Sequence, residues 1–232
     1  APARAKDPGN TVSLKEFPGG ALVMTGANSA TGLRSLPARY LVLDEVDAFP
    51  ADAGGEGDPV ALAVQRTVTF RGRRKIFMIS TPTEAGISRI EKAYAESDRR
   101  RYHVPCPHCG TFQPLTWSGV KWPEGEPAAA YYACRECGGI VEEQDKPALL
   151  AAGEWRASAE GDGRTAGYHL SALYSPFETW AEIATDFLAA RRDPVRLKAW
   201  TNLKLGDPYE DRDSEAVDPT GIMARLEEWG DQ

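Results

Sequence analysis

Four cysteines, all that the chain contains, stand as Cys106-Pro107-His108-Cys109 and Cys134-Arg135-Glu136-Cys137, with 24 residues between the pairs. Thiolates two residues apart can turn onto one metal ion, and two such pairs complete a tetrahedral all-cysteine set for Zn2+ with no open position. A closed set of that kind is structural, because it leaves no vacancy for a substrate. Gly110 and Gly138 directly follow the second cysteine of each pair, where a tight knuckle uses a residue free to take positive φ. Disulfides compete for the same thiols, but no export signal opens the chain. His108 sits inside the first knuckle and reads as an exposed residue rather than a ligand.

A second constellation ends the run Tyr40-Leu41-Val42-Leu43-Asp44-Glu45. An uninterrupted apolar run closing on two carboxylates is the pattern of a parallel strand that delivers acids to the carboxyl edge of a sheet. Ligands bind at that edge in open α/β folds. Asp44 then reads as the holder of Mg2+ and Glu45 as the base that polarises an attacking water. A strand that merely runs into an acidic turn fits the same residues. Asp58-Pro59 signals a helix start, and the helix is expected through Val60, Ala63, Val64 and Thr67 to near Arg71-Gly72. Lys75 to Ile79 forms the next strand and closes on Ser80-Thr81-Pro82-Thr83. Strand, helix and strand make a right-handed βαβ unit that brings Ser80 and Thr81 beside the acids. Their hydroxyls could bond a γ-phosphate or a catalytic water, or only their own turn.

Upstream, Pro18-Gly19-Gly20 is a turn and Ala21 to Met24 a strand, expected next to the acidic strand in one sheet. Arg34, in the polar segment between them, is then expected near the same edge, although arginines in such segments are more often simply solvated. Ser88 with Glu91 suggests a capping box for a helix bearing Ile87, Ile90 and Tyr94. Arg99, Arg100 and Arg101 follow as a solvated edge or a phosphate contact. Between the cysteine pairs, Phe112, Leu115, Trp117, Val120, Trp122, Tyr131 and Tyr132 fit a small antiparallel zinc ribbon, most of them as packing residues. Trp180, Ile183, Ala184, Phe187 and Leu188 recur at helical spacing, and a second helix from Val195 carries Leu197, Trp200 and Leu203. A further short helix is expected from Ile222 to Trp229.

The chain has 232 residues, 42% hydrophobic and 26% charged, which is globular rather than disordered composition. Its net charge of −7 argues against an overall positive coat for nucleic acid but leaves room for a local basic patch. No apolar stretch is long enough to span a bilayer. The opening Ala-Pro-Ala without Met fits a processed chain or a piece of a longer gene.

Read together, several motifs resemble the large terminase subunit of tailed bacteriophages, in its lambda-like or GpA branch. They are Glu16-Phe17-Pro18-Gly19-Gly20, Gly26-Ala27-Asn28-Ser29, Leu33-Arg34-Ser35, Leu43-Asp44-Glu45-Val46-Asp47, Ser80-Thr81-Pro82-Thr83 and Val104-Pro105-Cys106-Pro107-His108-Cys109-Gly110. Leu170 to Pro176 and Trp200 to Gly206 continue the likeness over nearly the whole chain. The resemblance implies an ATP-driven motor that packages double-stranded DNA, with a nuclease domain that cuts the concatemer. It implies ATP, Mg2+ and structural Zn2+ as cofactors. The implied partners are a small terminase subunit, the portal of the procapsid and further copies in a ring, and the implied location is the host bacterial cytoplasm, with no membrane. Asp44 then corresponds to the Walker B metal residue, Glu45 to the catalytic glutamate, Ser80 and Thr81 to the coupling motif. Arg34 corresponds to an arginine offered to a neighbouring subunit's nucleotide.

No Gly-x-x-x-x-Gly-Lys-Ser/Thr phosphate loop occurs in these residues. The expected fold is therefore α/β: part of a P-loop (ASCE-type) parallel sheet with helices, an inserted zinc ribbon and a C-terminal helical segment. The expected divisions are 1–103 for the rear of the ATPase domain, 104–145 for the ribbon, 146–206 for a helical and aromatic subdomain, and 207–232 for a linker toward an absent nuclease. The isolated piece is expected to be inactive. A stand-alone zinc-ribbon module that binds DNA or protein is the alternative.

Overall fold

The computed structural model describes residues 11–210. The helix expected from Ile222 to Trp229 lies outside them, as does most of the 207–232 segment. The chain divides into two compact units, Ala1–Thr81 and Pro82–Gln232. The boundaries expected at 103/104 and 145/146 do not coincide with this division.

The first unit opens with a hairpin of β1 (Leu14–Phe17) and β2 (Gly20–Val23), paired antiparallel. Pro18 has a ring-fixed φ and Gly19 lies at φ 92°, so the two form a turn that closes the strands on each other locally. This overturns the expectation that the Ala21–Met24 strand lies beside the acidic one: β2 finds its partner across a two-residue turn and is not paired to the later strands. The segment after it, expected to be a polar loop, contains a short helix α1 (Ala30–Arg34). Ser29 caps it by accepting from the Gly32 N–H at 3.2 Å.

β3 (Tyr40–Asp44), α2 (Pro59–Gln65) and β4 (Lys75–Ile79) build the expected βαβ unit. The two strands run parallel with Tyr40 opposite Lys75 and Asp44 opposite Ile79. Asp58 caps α2 through the Ala61 N–H at 3.0 Å, and Pro59 takes the first turn, where its missing N–H costs nothing. Leu43, Val46, Ala53 and Ala63 form the buried side of this unit. The other side of the two strands is open: Tyr40, Val42, Phe77 and Ile79 are 62, 64, 56 and 41% exposed.

In the second unit α3 (Arg89–Ala95) starts at Ser88, which accepts from the Glu91 N–H. Only half of the expected capping box forms, because the Glu91 carboxylate turns to the Gly86 N–H at 2.9 Å. β5 (Arg100–Pro105) pairs with β6 (Phe112–Pro114), while β7 (Val120–Lys121), β8 (Tyr131–Ala133) and β9 (Ile140–Val141) form a second antiparallel sheet. After α4 (Lys146–Ala151), β10 (Glu154–Arg156) and β11 (Tyr168–His169) add to β5 from its two sides. The chain closes with α5 (Trp180–Ala190) and α6 (Pro194–Trp200), which passes into a π-helical turn over Thr201–Leu205 and stops at Gly206 with φ 66°.

One core joins these elements. Val104, Leu115, Val120, Tyr132 and Val141 from the sheets pack with Leu173, Tyr174, Trp180, Ile183 and Trp200 from the C-terminal helices. Trp117 of the inter-cysteine segment meets Phe187 and Trp200 with ring centroids 5.0 and 4.8 Å apart, at edge-favouring angles. The cysteine-bearing strands and the helical segment therefore cannot be separated without opening a shared interior.

Candidate functional site

The sequence points to two sites, one in each unit. The first lies where β3 ends. Glu45 directly follows the strand and takes the left-handed conformation, φ 56° and ψ 50°, in a residue with a Cβ. That backbone costs about 1–2 kcal/mol relative to the ordinary helical well, so the surrounding turn must enforce it. It is followed by a single 3-10 turn, Val46–Ala48, whose Val46 side chain is fully buried and anchors the bend.

Because β3 and β4 are parallel and in register, their ends meet. The Ser80 hydroxyl lies 3.5 Å from Glu45 Oε2, accepts from the Asp47 N–H at 3.2 Å, and reaches the Thr81 carbonyl at 3.1 Å. Ser80 is thus fixed between the acidic turn and its own strand end. Thr81 takes part through its carbonyl. Asp44 ends β3 exposed, and its carboxylate has no hydrogen-bond or ion-pair partner among the described residues. An exposed carboxylate at the end of a strand is an oxygen donor of the kind that a hard cation such as Mg2+ takes. Arg34 is not part of this group. It pairs with Glu56, both about half exposed, while its carbonyl accepts from Arg66 Nη1 at 2.9 Å.

The second site is the cysteine cluster. All four Sγ atoms lie within 4.8 Å of one another, with Cys106 to Cys137 at 3.8 Å and Cys109 to Cys134 at 3.9 Å. Tetrahedral zinc with Zn–S near 2.3 Å requires sulfurs about 3.8 Å apart, so the cluster fits the ion. The separations are far too long for disulfides, whose sulfurs stand about 2.05 Å apart.

The two knuckles are built alike. Cys106 O accepts from the Gly110 N–H and Cys134 O from the Gly138 N–H, each at 2.9 Å. The glycines lie at φ 73° and 70°, the left-handed region that this closure needs. The backbone N–H groups of Cys106 and Cys134 donate in turn to Thr111 O and Gly139 O. His108 is exposed and stands outside the sulfur group. Its Nε2 contacts Ile140 O at 2.6 Å, tying one knuckle to the strand that leaves the other. A Cβ on Gly139 would come within 2.5 Å of the His108 ring, so a side chain there would have to displace the imidazole from this crossing.

Gln113 is a site residue that motif reading does not flag. It is 2% exposed, donates from Nε2 to Cys134 Sγ at 3.2 Å and accepts the Arg135 N–H at Oε1. The signal available in sequence was a polar residue at the inward position of the short strand Phe112-Gln113-Pro114. Its amide orients a sulfur from outside the ligand shell, as outer-shell groups do in metal sites.

The thiols also show what the cluster needs. Burial opposes charge on Cys134, but the N–H groups of Cys137 and Glu136 and the neighbouring thiols outweigh it and bring its pKa down to about 6. The Gly139 N–H favours charge on Cys137, yet burial and the three other sulfurs push it up to about 12. Cys109 is likewise drawn down, chiefly by its hydrogen bond to Thr111, while burial pushes Cys106 up, so two thiols favour charge and two resist it, as expected of four close thiols without a cation between them.

Comparison with known proteins decides the lineage of both sites. Residues 1–155 match the family model for the ATPase domain of the phage terminase large subunit gpA, and residues 165–232 match the model for its endonuclease domain. The chain belongs to the gpA family of phage terminase large subunits. It is 31% identical over 241 aligned residues to the large terminase subunit of Enterobacteria phage P21 and 28% identical over 244 to that of Escherichia phage lambda. These alignments take in 94 and 95% of the chain but 37 and 38% of the two relatives, so the chain spans less than two fifths of their length. No solved structure matches it. The ATPase match runs through both candidate sites, so this family's ATPase region includes the cysteine cluster. The nuclease match begins at residue 165, upstream of α5, within the segment that sequence patterning assigns to a helical subdomain. Among the described residues no helix is long and apolar enough to cross a membrane.

Proposed function

We propose that this chain is a section of a terminase large subunit, the ATP-driven motor that moves double-stranded DNA into a procapsid, and that β3 and β4 belong to a P-loop-type sheet. The observation that carries this reading is the meeting of Glu45, Asp44 and Ser80 at the carboxyl ends of two parallel strands. Glu45 is the general base: it orients and deprotonates the water that attacks the γ-phosphoryl group. Asp44 holds the Mg2+ of the nucleotide; when bound, that ion neutralises charge developing on the phosphate oxygens. Ser80, bonded to both the acidic turn and its own strand end, senses the state of Glu45 and passes it to the segment that follows. Arg34 serves as a donor toward a phosphate only after release from Glu56.

On this reading the cysteine cluster is a zinc ribbon with a structural ion held by Cys106, Cys109, Cys134 and Cys137. The partners are duplex DNA, a small terminase subunit, the portal and other copies in a ring, all in the host cytoplasm. The open apolar side of β3 and β4 supports an α/β layer that further segments cover, since parallel strands are ordinarily covered on both faces. The chain alone, with no phosphate loop in its sequence, is a non-hydrolysing section.

The test is Glu45→Gln in the full-length subunit. ATP hydrolysis falls at least about a hundredfold while nucleotide binding persists, as expected for loss of a base that acts in the transition state. Hydrolysis by the 232-residue chain itself, abolished by Glu45→Ala, would overturn the reading of the chain as an incomplete site.

A further inference from the structure

The first unit separates its charges by position. From Pro59 to Thr83 the sequence contains Arg66, Arg71, Arg73, Arg74 and Lys75 and no carboxylate at all. Folding adds Arg39 to this group, because the parallel register places the start of β3 against the start of β4. The Lys75 N–H donates to Arg39 O at 3.0 Å, and Arg39 Nε donates to Arg73 O at 3.2 Å. Six cations thus gather at the amino end of the strand pair, opposite the end that carries Asp44 and Glu45.

None of the six is ion-paired with a carboxylate among the described residues. Arg74 is braced by Thr67 Oγ1 at 2.9 Å, and Arg66 by the Arg34 carbonyl, so both heads are held by neutral groups that leave the charge intact. Arg66 Nε is buried without a partner. Arg39, Arg71, Arg73 and Lys75 are exposed, and the turn that presents Arg71 and Arg73 is closed by the Arg73 N–H on Phe70 O at 2.7 Å. The acids at the other end do not neutralise this group. Four strand residues separate the two ends, about 13 Å at about 3.3 Å each, beyond the screening length of about 8 Å at physiological salt.

Holding this many like charges together has a cost that an anionic ligand would remove. Five of the six are arginines, whose planar forks suit the paired oxygens of phosphate better than a point-charge lysine does. The group offers no buried aromatic anchor of the kind that centres a protein interface. We infer that the amino end of the β3–β4 pair is a docking surface for the phosphate backbone of duplex DNA. This rests on the packaging reading for the identity of the polyanion. It assigns the contact to charge and not to sequence: such a surface neutralises backbone phosphates and ignores base order.

The test measures binding of the zinc-loaded 232-residue chain to a fluorescein-labelled duplex of about 30 base pairs, by anisotropy, between about 50 and 200 mM salt. In Arg71→Ser/Arg73→Ser the slope of log affinity against log salt is reduced by about 2, and binding at low salt weakens about tenfold or more. Arg71→Lys/Arg73→Lys keeps the slope, because the charge count is unchanged. Arg191→Ser/Arg192→Ser, exposed at the end of α5, changes neither. An unchanged slope in the serine variant, with thermal melting like that of the parent, overturns the assignment. So does a parent chain that fails to bind duplex at about 50 mM salt, or one that binds labelled polyglutamate more tightly than DNA. None of these outcomes bears on hydrolysis, which Glu45→Gln in the full-length subunit decides separately.

Discussion

The two units solve the problem of burying apolar surface in opposite ways. The second closes on itself: sheet residues and C-terminal helices share one interior, Trp180 and Ile183 are fully buried, and four thiols gather where a metal would lock the strands. The first buries Leu43 and Val46 on one side of its parallel strands and leaves Tyr40, Val42, Phe77 and Ile79 open on the other. Its most chemically suggestive residues sit on the less enclosed structure. On the function proposed above, the acid-bearing strands would join a sheet that other segments complete, whereas the cysteine unit buries its own interior.

The largest expected effect breaks the second unit. All six tryptophans lie in it, so their fluorescence reports on that unit alone. Removing zinc with a chelator, or Cys109→Ser, should shift tryptophan emission to the red and collapse its thermal transition, since structural zinc contributes on the order of 10 kcal/mol to small metal-held folds. A chelated chain with unchanged emission and melting would show that the shared core suffices without metal.

A smaller effect concerns Tyr174. Its hydroxyl donates to Tyr102 O and accepts the Leu115 N–H, both at 2.7 Å, and burial pushes its pKa up to about 12 from an ordinary 10.0. The folded state therefore disfavours the phenolate. Tyr174 stabilises the fold fully below pH 10, and that stability is lost as pH rises from 10 toward 12. Tyr174→Phe should cost about 1–3 kcal/mol at neutral pH by leaving a buried N–H unpaired. Urea melts at about pH 8 and about pH 11 should show the gap between parent and variant narrowing at the higher pH; a constant gap would rule out the tyrosine as the titrating group.

The smallest effect sharpens the contrast from the other side. Phe77→Ser on the open face of the first unit should change stability in urea by less than about 0.5 kcal/mol, in contrast to a core truncation. A loss above about 2 kcal/mol would mean that the face is covered within this chain.

Much of the acidic site was legible because its signals are local. Asp58-Pro59 dictated the start of α2, the apolar run dictated β3, and right-handed βαβ geometry then put Ser80 near Glu45. The hairpin was misassigned because strand patterning says which residues pair but not with whom; the short Pro18-Gly19 turn settled that in favour of β1. The pairing of Arg34 with Glu56 was not legible for a related reason, since a guanidinium on a flexible stem takes whichever carboxylate folding brings near. Gln113 was invisible because its meaning depends on a sulfur 21 residues away.

By itself the sequence determined which four cysteines come together, the strand that carries Asp44 and Glu45, and the kinship with terminase large subunits. Those are properties of residue type and spacing, which local geometry translates directly. Only the tertiary structure decided that the cysteine strands and the C-terminal helices share one core, that Glu45 sits in a strained left-handed turn, and that Arg39 joins the Arg71–Lys75 group. Each of these depends on which segments pack or pair across tens of residues, and such choices are made by burial and register rather than by any stretch of sequence alone.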